Sequence, residues 1–244
     1  MESKEQDHKT NSNQVLLKYW EEMPEHLQFN PHIKTGYRPL MTPTNCVRSI
    51  FFFHNETVNI LTHGFAILYI YLTVPDALPW STQGALSGCH LIGAISPWIG
   101  SFLYHVFMNL NYGEDVYRKL LKIDMLGIWL CQSFGALPMI VTSVHCSSGF
   151  LQYCCISIYC FLSLLGLWKD VVAVIGGIIG ALRIPEKWLP GSLDLLFNSH
   201  NIMHVLVVLA VCSMHEATIQ DLTWMSNPTS CTVPNYIPSI HEEL

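Results

Sequence analysis

Charged side chains are scarce in this sequence. Only 12% of its 244 residues are Asp, Glu, Lys or Arg, whereas 50% are hydrophobic. This composition is atypical of a water-soluble globular domain and predicts an integral membrane protein. The formal net charge of −6 is scattered along the chain. It leaves no basic face, which excludes nucleic acid as a partner.

Two further features are missing: an apolar segment near the start and a set of paired cysteines. The first 50 residues are polar and include six basic residues, so they do not resemble a cleavable signal peptide. The first apolar stretch must therefore act as the insertion signal. Nine cysteines are an odd number, and most of them lie within apolar stretches. We therefore expect no disulfide framework.

Six apolar stretches are present. Windows of about 20 residues place membrane spans at roughly 57–75, 86–109, 121–142, 150–168 and 201–220. The sixth stretch, 170–184, is short and glycine-rich, which is more typical of a re-entrant or buried segment than of a full span. The predicted fold class is all-α: a polytopic membrane helix bundle over residues 51–222, between an N-terminal region (1–50) and a short tail (223–244).

The distribution of basic residues predicts the orientation, because Lys and Arg near span ends favour the cytoplasmic side. Six lie in the N-terminal region, and Arg118, Lys119 and Lys122 lie between the second and third spans. The tail after residue 222 has none. We therefore expect a cytoplasmic N-terminus, an exoplasmic tail and an odd number of crossings.

Three histidines at the ends of apolar stretches are candidate metal ligands. His200 and His204 are one helical turn apart, so their imidazoles project from one face, and His105 closes the second stretch. Three imidazoles would leave a zinc ion one open position, where a bound water has a pKa of about 7. If 170–184 crossed the membrane completely, His105 would be some 20–30 Å from the other two. Plain polar packing is the alternative interpretation of His200 and His204.

Two more polar residues are candidates for catalysis. Asp124, at the start of the third span, could orient or deprotonate a water molecule, and Ser101 lies one helical turn before His105. A charged aspartate at the edge of an apolar span is costly unless it is paired or functional. Ion pairing of Asp124 with Arg118 or Lys122 is the alternative.

Other polar residues within the spans are interpreted as packing residues. His90, His145 and His215 are expected to be interfacial or to hydrogen-bond between helices. Glu56, Asn59 and His63 recur at three- and four-residue spacing. We interpret these three as an interhelical hydrogen-bond seam in preference to a catalytic role.

Taken together, these motifs resemble those of the progestin and adipoQ receptor family. They are His26 to Asn30, Gly36 to Pro39, His54 to Gly64, Ser101-x-x-x-His105, Lys122 to Asp124 and Asn198 to His204, in the family's order. The resemblance implies seven helices, a zinc ion bound by His105, His200 and His204 near the cytoplasmic leaflet, and Asp124 and Ser101 beside it. In one respect the chain departs from the family pattern. The span ending near Trp168 runs almost directly into 171–183, so the family's fifth span is absent.

The resemblance implies two classes of function and a third outcome. A relation to alkaline ceramidases implies a zinc hydrolase that cleaves the amide of a ceramide-like lipid. The other class is a ligand-responsive receptor or a sphingolipid-regulating scaffold with structural zinc. Loss of one helix would instead leave an inactive shortened chain. We expect the membrane to be that of the Golgi, another endomembrane or the plasma membrane.

Overall fold

The structure, a computed structural model, describes residues 16–169 and 182–232. The named elements in these ranges are helices, which confirms the all-α prediction. The α-helices are α1 (Pro43–Arg48), α2 (Thr57–Ala77), α3 (Trp80–Phe107), α4 (Glu114–Leu130), α5 (Ala136–Ser143), α6 (Gly149–Lys169) and α7 (Ser199–Met225). A π-helical turn, Cys131–Gly135, joins α4 to α5 without a break.

Within the described residues, four segments are long and apolar enough to cross a membrane: α2, α3, α7 and the continuous 114–143 segment. The five predicted spans all correspond to helices of the structure. The largest offsets are at helix starts: α3 begins six residues before the predicted span and α4 seven residues before it. Polar first turns such as that at Glu114 are helical, but they lower the mean hydropathy of any window that includes them.

Small residues let α3 and α4 approach closely. A methyl group on Gly127 of α4 would lie 2.6 Å from the carbonyl oxygen of Ser96 on α3. A methyl group on Gly100 would lie 2.8 Å from the carbonyl oxygen of Ile123. Close backbone contact at small residues is a common way for helices to associate in lipid. These contacts fix Asp124 of α4 against the last turns of α3.

The bundle has two ends, which we call the site end and the far end. The site end is where α3 finishes and α7 begins; the far end is where α2 finishes and α3 begins. α6 runs antiparallel to α4, since the indole N–H of Trp129 donates to the carbonyl of Ser163 (2.9 Å).

The N-terminal segment and the loop before α7 cover the site end together. The Asp194 carboxylate accepts hydrogen bonds from the backbone N–H groups of Lys34 (3.0 Å) and Thr35 (2.7 Å). Asn30 donates to Glu186 (3.1 Å), and Arg183 donates to the carbonyl of Phe29 (2.9 Å). Residues about 155 positions apart in sequence are thus tied together.

Most of the stretch 170–184 lies outside the described residues. The prediction that this stretch does not cross the membrane therefore concerns residues that the structure does not describe. Its last residues are described and lie at the site end, where Arg183 contacts Phe29. The helix that follows starts at Ser199 after a loop of turns.

The expectation of no disulfide is wrong at one position. Cys146, in the loop after α5, is bonded to Cys231 in the segment after α7, with Cα atoms 5.2 Å apart. These cysteines are 85 residues apart and lie at the far end. No local spacing pattern marks such a pair in the sequence, because only the fold brings the two segments together.

Candidate metal centre

Three histidine side chains converge at the site end. His105, His200 and His204 each offer a ring nitrogen, and these nitrogens all lie within 4.8 Å of one another. The Nε2 atoms of His200 and His204 are 3.2 Å apart. Two nitrogens bound to one tetrahedral zinc ion at about 2.0 Å would be roughly 3.3 Å apart. The donor set and its spacing therefore fit a metal ion, and the predicted meeting of these residues is confirmed.

Two devices at the start of α7 position His200 and His204. The side chain of Asn198 caps the helix by accepting a hydrogen bond from the backbone N–H of Asn201 (3.0 Å). Glu186 accepts from both the backbone N–H (2.7 Å) and the hydroxyl (2.5 Å) of Ser199. Burial alone would raise the pKa of Glu186, but the hydrogen bonds from Ser199 hold it below its usual value. The first turn of α7 is therefore fixed on both sides of His200.

Glu56 immediately precedes α2 and fixes the orientation of the His105 ring. Its Oε2 atom lies 2.8 Å from Nδ1 of His105, and both side chains are buried. A carboxylate can only accept at neutral pH, so Nδ1 carries the hydrogen and Nε2 is left free to bind a metal. This is the usual arrangement of a carboxylate behind a metal-binding histidine. The spacing of Glu56 in the sequence predicts the seam but not the contact of Glu56 with His105.

The predicted seam is present and extends to α7. Asn59 donates to Oε2 of Glu56 (2.8 Å), and Asn201 donates to Oδ1 of Asn59 (2.8 Å). The third member, His63, stacks on His204 with ring centroids 4.0 Å apart. Neither ring nitrogen of His63 has a hydrogen-bond partner among the described residues. The seam therefore ties α2 to His105 from α3 and to His204 from α7.

Arg38 fixes the backbone at the end of α3. It is 1% exposed and donates hydrogen bonds to the carbonyl oxygens of His105 and Val106 and to the hydroxyl of Ser49. Burial lowers the pKa of Arg38 to about 10, which leaves it charged at neutral pH. Helix C-termini carry partial negative charge, so a buried cation is well placed there.

Ser101 and Asp124 are both buried beside this centre. Ser101 is on α3, one turn before His105, and a methyl group on the neighbouring Gly100 would lie 3.1 Å from Cα of Asp124. Neither alternative ion pair forms among the described residues: Arg118 instead donates to Glu114 (2.6 Å), and no salt bridge joins Lys122 to Asp124. Asp124 is thus available to the interior of the bundle.

A small cavity adjoins the centre on its covered side. Its volume is about 20 Å³, and its lining includes Tyr37, Asn55, Glu56, Asn198 and His200. A cavity of that size has room for about one water molecule, and its polar lining suits one.

The three histidines interpreted as packing residues, His90, His145 and His215, lie away from this centre. His90 on α3 and His215 on α7 form an interhelical hydrogen bond (3.0 Å) in the far half of the bundle. His145 contacts the hydroxyl of Ser230 (3.2 Å) at the far end.

Comparison with known proteins identifies the family. The model of the family "Haemolysin-III related" matches residues 51–173 and 163–215. "Progestin and adipoQ receptor family member 4" of Homo sapiens is 33% identical over 257 positions, covering 85% of this chain and 94% of the relative. The Mus musculus protein of the same name has the same identity and coverage. "Adiponectin receptor protein" of Drosophila melanogaster is 25% identical, over 88% of this chain and 62% of the relative.

The alignments also show that this chain lacks residues that its relatives have. The 85% of this 244-residue chain that is aligned with the human relative amounts to about 207 residues, so about 50 of the 257 aligned positions have no counterpart here. The two ranges matched by the family model overlap at 163–173, which is where the sequence predicts the loss of a span. With the helical fold and the histidine cluster, these matches show that the chain belongs to the haemolysin-III-related progestin and adipoQ receptor family of integral membrane proteins.

Proposed function

We propose that His105, His200 and His204 hold a zinc ion and that the protein hydrolyses the amide bond of a ceramide-like membrane lipid. The observation that carries this proposal is the convergence of three imidazoles, those of His105 and His204 buried and that of His200 half-buried, with two Nε2 atoms 3.2 Å apart. An all-nitrogen donor set suits zinc better than calcium or magnesium. Three protein ligands leave one coordination position open, as in catalytic zinc sites.

The surrounding residues have roles that match this chemistry. When bound, zinc would supply Lewis-acid activation of a water molecule and polarisation of an amide carbonyl. Asp124 would accept the proton of the attacking water and return it to the leaving amine. Ser101 would donate a hydrogen bond to the carbonyl oxygen. Glu56 would keep the His105 ring in the tautomer that leaves Nε2 free.

The proposed orientation places the site end in the cytoplasm and the far end on the exoplasmic side. Two independent features support it. The site end carries Lys18, Lys34, Arg38 and Arg48 of the N-terminal segment and Arg118, Lys119 and Lys122 in the first turns of α4. The far end carries the disulfide between Cys146 and Cys231, and disulfides persist in exoplasmic compartments but not in the reducing cytosol.

A second candidate function is a ligand-responsive receptor, or a scaffold with structural zinc. Two observations favour it: the names of the relatives include "receptor", and the N-terminal segment and the loop before α7 cover the histidines from the site end. In that case zinc would fix α3 against α7, and ligand binding elsewhere would be the activity.

The test is the zinc content of the purified full chain, compared with that of the double variant His200→Ala, His204→Ala. The matched control is His90→Ala, His215→Ala, which removes a pair bridging the same two helices at the other end. We expect about one zinc per chain in the wild type and the control, and none in the first variant. Folded protein without zinc would refute the proposal and leave an inactive shortened chain.

Activity separates the two zinc-bearing alternatives. Release of fatty acid from a fluorescent ceramide should fall by about 10² to 10⁴ in Asp124→Asn, while zinc content stays unchanged. Zinc without hydrolysis in the wild type would favour the receptor or scaffold.

A further inference from the structure

A second buried polar cluster lies in the far half of the bundle. Ser87 and His90 share one face of α3, and His215 and Thr218 share one face of α7. All four are at most 4% exposed. His204 and His215 are 11 residues apart on α7, or about 16 Å along the helix, so this cluster is separate from the metal centre.

Hydrogen bonding within this cluster is incomplete. One N–H joins Nδ1 of His215 to Nε2 of His90 (3.0 Å). The other nitrogen of each ring and the hydroxyls of Ser87 and Thr218 have no partner among the described residues. A neutral histidine pair joined by one hydrogen bond always leaves one donor and one acceptor over. A buried donor or acceptor left without a partner destabilises the folded protein unless something else satisfies it.

His215 also lines a large cavity between α2 and α7. The cavity has a volume of about 720 Å³, within the range of pockets that bind small molecules. Its walls are partly apolar, with Val74, Ala77 and Ile219, and partly polar, with Thr73 and Gln220. A site whose lining is partly polar and partly apolar suits an amphiphile.

The charge of the cavity selects among amphiphiles. Glu216 lines it and lies within the last apolar stretch, nine residues or about 13 Å along the helix axis before the end of α7. An ionisable residue at such a depth requires a partner or a polar cavity. All 12 Lys and Arg residues lie within 1–48, 118–122, 169 and 183–187, so the described part of the far end has none. Asp76, Glu216 and Asp221 make this end acidic.

We propose that this cavity binds an amphiphile with a primary amine headgroup and a hydrocarbon tail. The ammonium group pairs with the Glu216 carboxylate, which lies next to His215 on α7, while His215 and His90 stay joined by their hydrogen bond. The tail lies between α2 and α7 along Val74 and Leu209. The ligand reaches the cavity from the bilayer, so binding requires neither the metal nor the covered site end.

The test uses photoactivatable dodecylamine with the full chain in phosphatidylcholine nanodiscs. The matched probes are dodecanol and dodecanoate carrying the same photoreactive group. We expect saturable labelling by the amine on Tyr69 to Ala77 and Leu209 to Gln220, competed by unlabelled dodecylamine. Glu216→Gln should weaken amine binding at least about tenfold, and Glu216→Lys should reverse the preference toward the carboxylate.

Asp221→Asn is the matched control, because it removes the same charge from the same helix outside the cavity. It should leave the affinity within twofold of wild type. Equal loss in Asp221→Asn and Glu216→Gln would show attraction to bulk negative charge and would overturn the proposal. Equal labelling by all three probes would also overturn it. The variant His200→Ala, His204→Ala should bind the amine normally, so failure of the zinc proposal and failure of this one are distinguishable.

Discussion

Replacing Glu56 tests how the protein tunes its metal centre. The Glu56 carboxylate lies 2.8 Å from Nδ1 of His105, and both side chains are buried, so little solvent screens the contact. Loss of such a partner typically lowers metal affinity by 10- to 100-fold. Glu56→Gln keeps an oxygen that can accept the Nδ1 hydrogen but removes the charge. We therefore expect about a tenfold loss for Glu56→Gln and about a hundredfold loss for Glu56→Ala.

The assay is competition for zinc against a chelator of known affinity, with each variant in nanodiscs. Glu114→Gln is the control: Glu114 is at the same end but exposed and paired with Arg118, so it should bind zinc as the wild type does. The rank order matters more than the absolute values. If Glu56→Gln and Glu56→Ala both bind zinc within twofold of wild type, Glu56 does not act through His105 and the inferred tautomer is wrong.

Three further predictions follow from contacts described above. Arg38→Met should destabilise the protein by about 3 kcal/mol or more, because it leaves three buried acceptors unpaired; the thermal transition measures this, and an unchanged transition would contradict it. Gly127→Ala should cost about 1–3 kcal/mol by forcing α4 away from α3. Gly88→Ala, whose methyl meets no described atom within 4 Å, should instead be neutral or stabilising by up to about 1 kcal/mol. Alkylation with mass spectrometry should modify Cys146 and Cys231 only after reduction, and reduction should leave zinc content unchanged because the disulfide is at the far end.

Hydropathy and helical spacing predict the helices and the residues that share a helix face, because both depend only on residues that are close together in the sequence. Apolar windows locate the five helices, and the four-residue interval between His200 and His204 places both rings on one face of α7. The third ligand follows from the requirement that a metal site assembles on one side of the membrane. The structure places His105 beside them, as that argument requires.

Contacts between distant segments could not be predicted in the same way. Glu56 and Asn59 carry the helical spacing of a polar stripe, but nothing in the sequence indicates which neighbour the stripe faces. His90 and His215 were expected to hydrogen-bond between helices, but 125 residues separate them and no pattern names the partner. The disulfide escaped prediction for the same reason.

The long sequence separation within the metal centre sets an order of assembly. His105 and His200 are about 95 residues apart. At a synthesis rate of 5–20 residues per second, roughly 5–20 s pass between the synthesis of His105 and that of His200 and His204. The hydrogen bonds that Asp194 accepts from Lys34 and Thr35 likewise cannot form until the loop before α7 has been synthesised. If the three histidines bind zinc as proposed, metal loading is therefore a late event that requires a finished bundle.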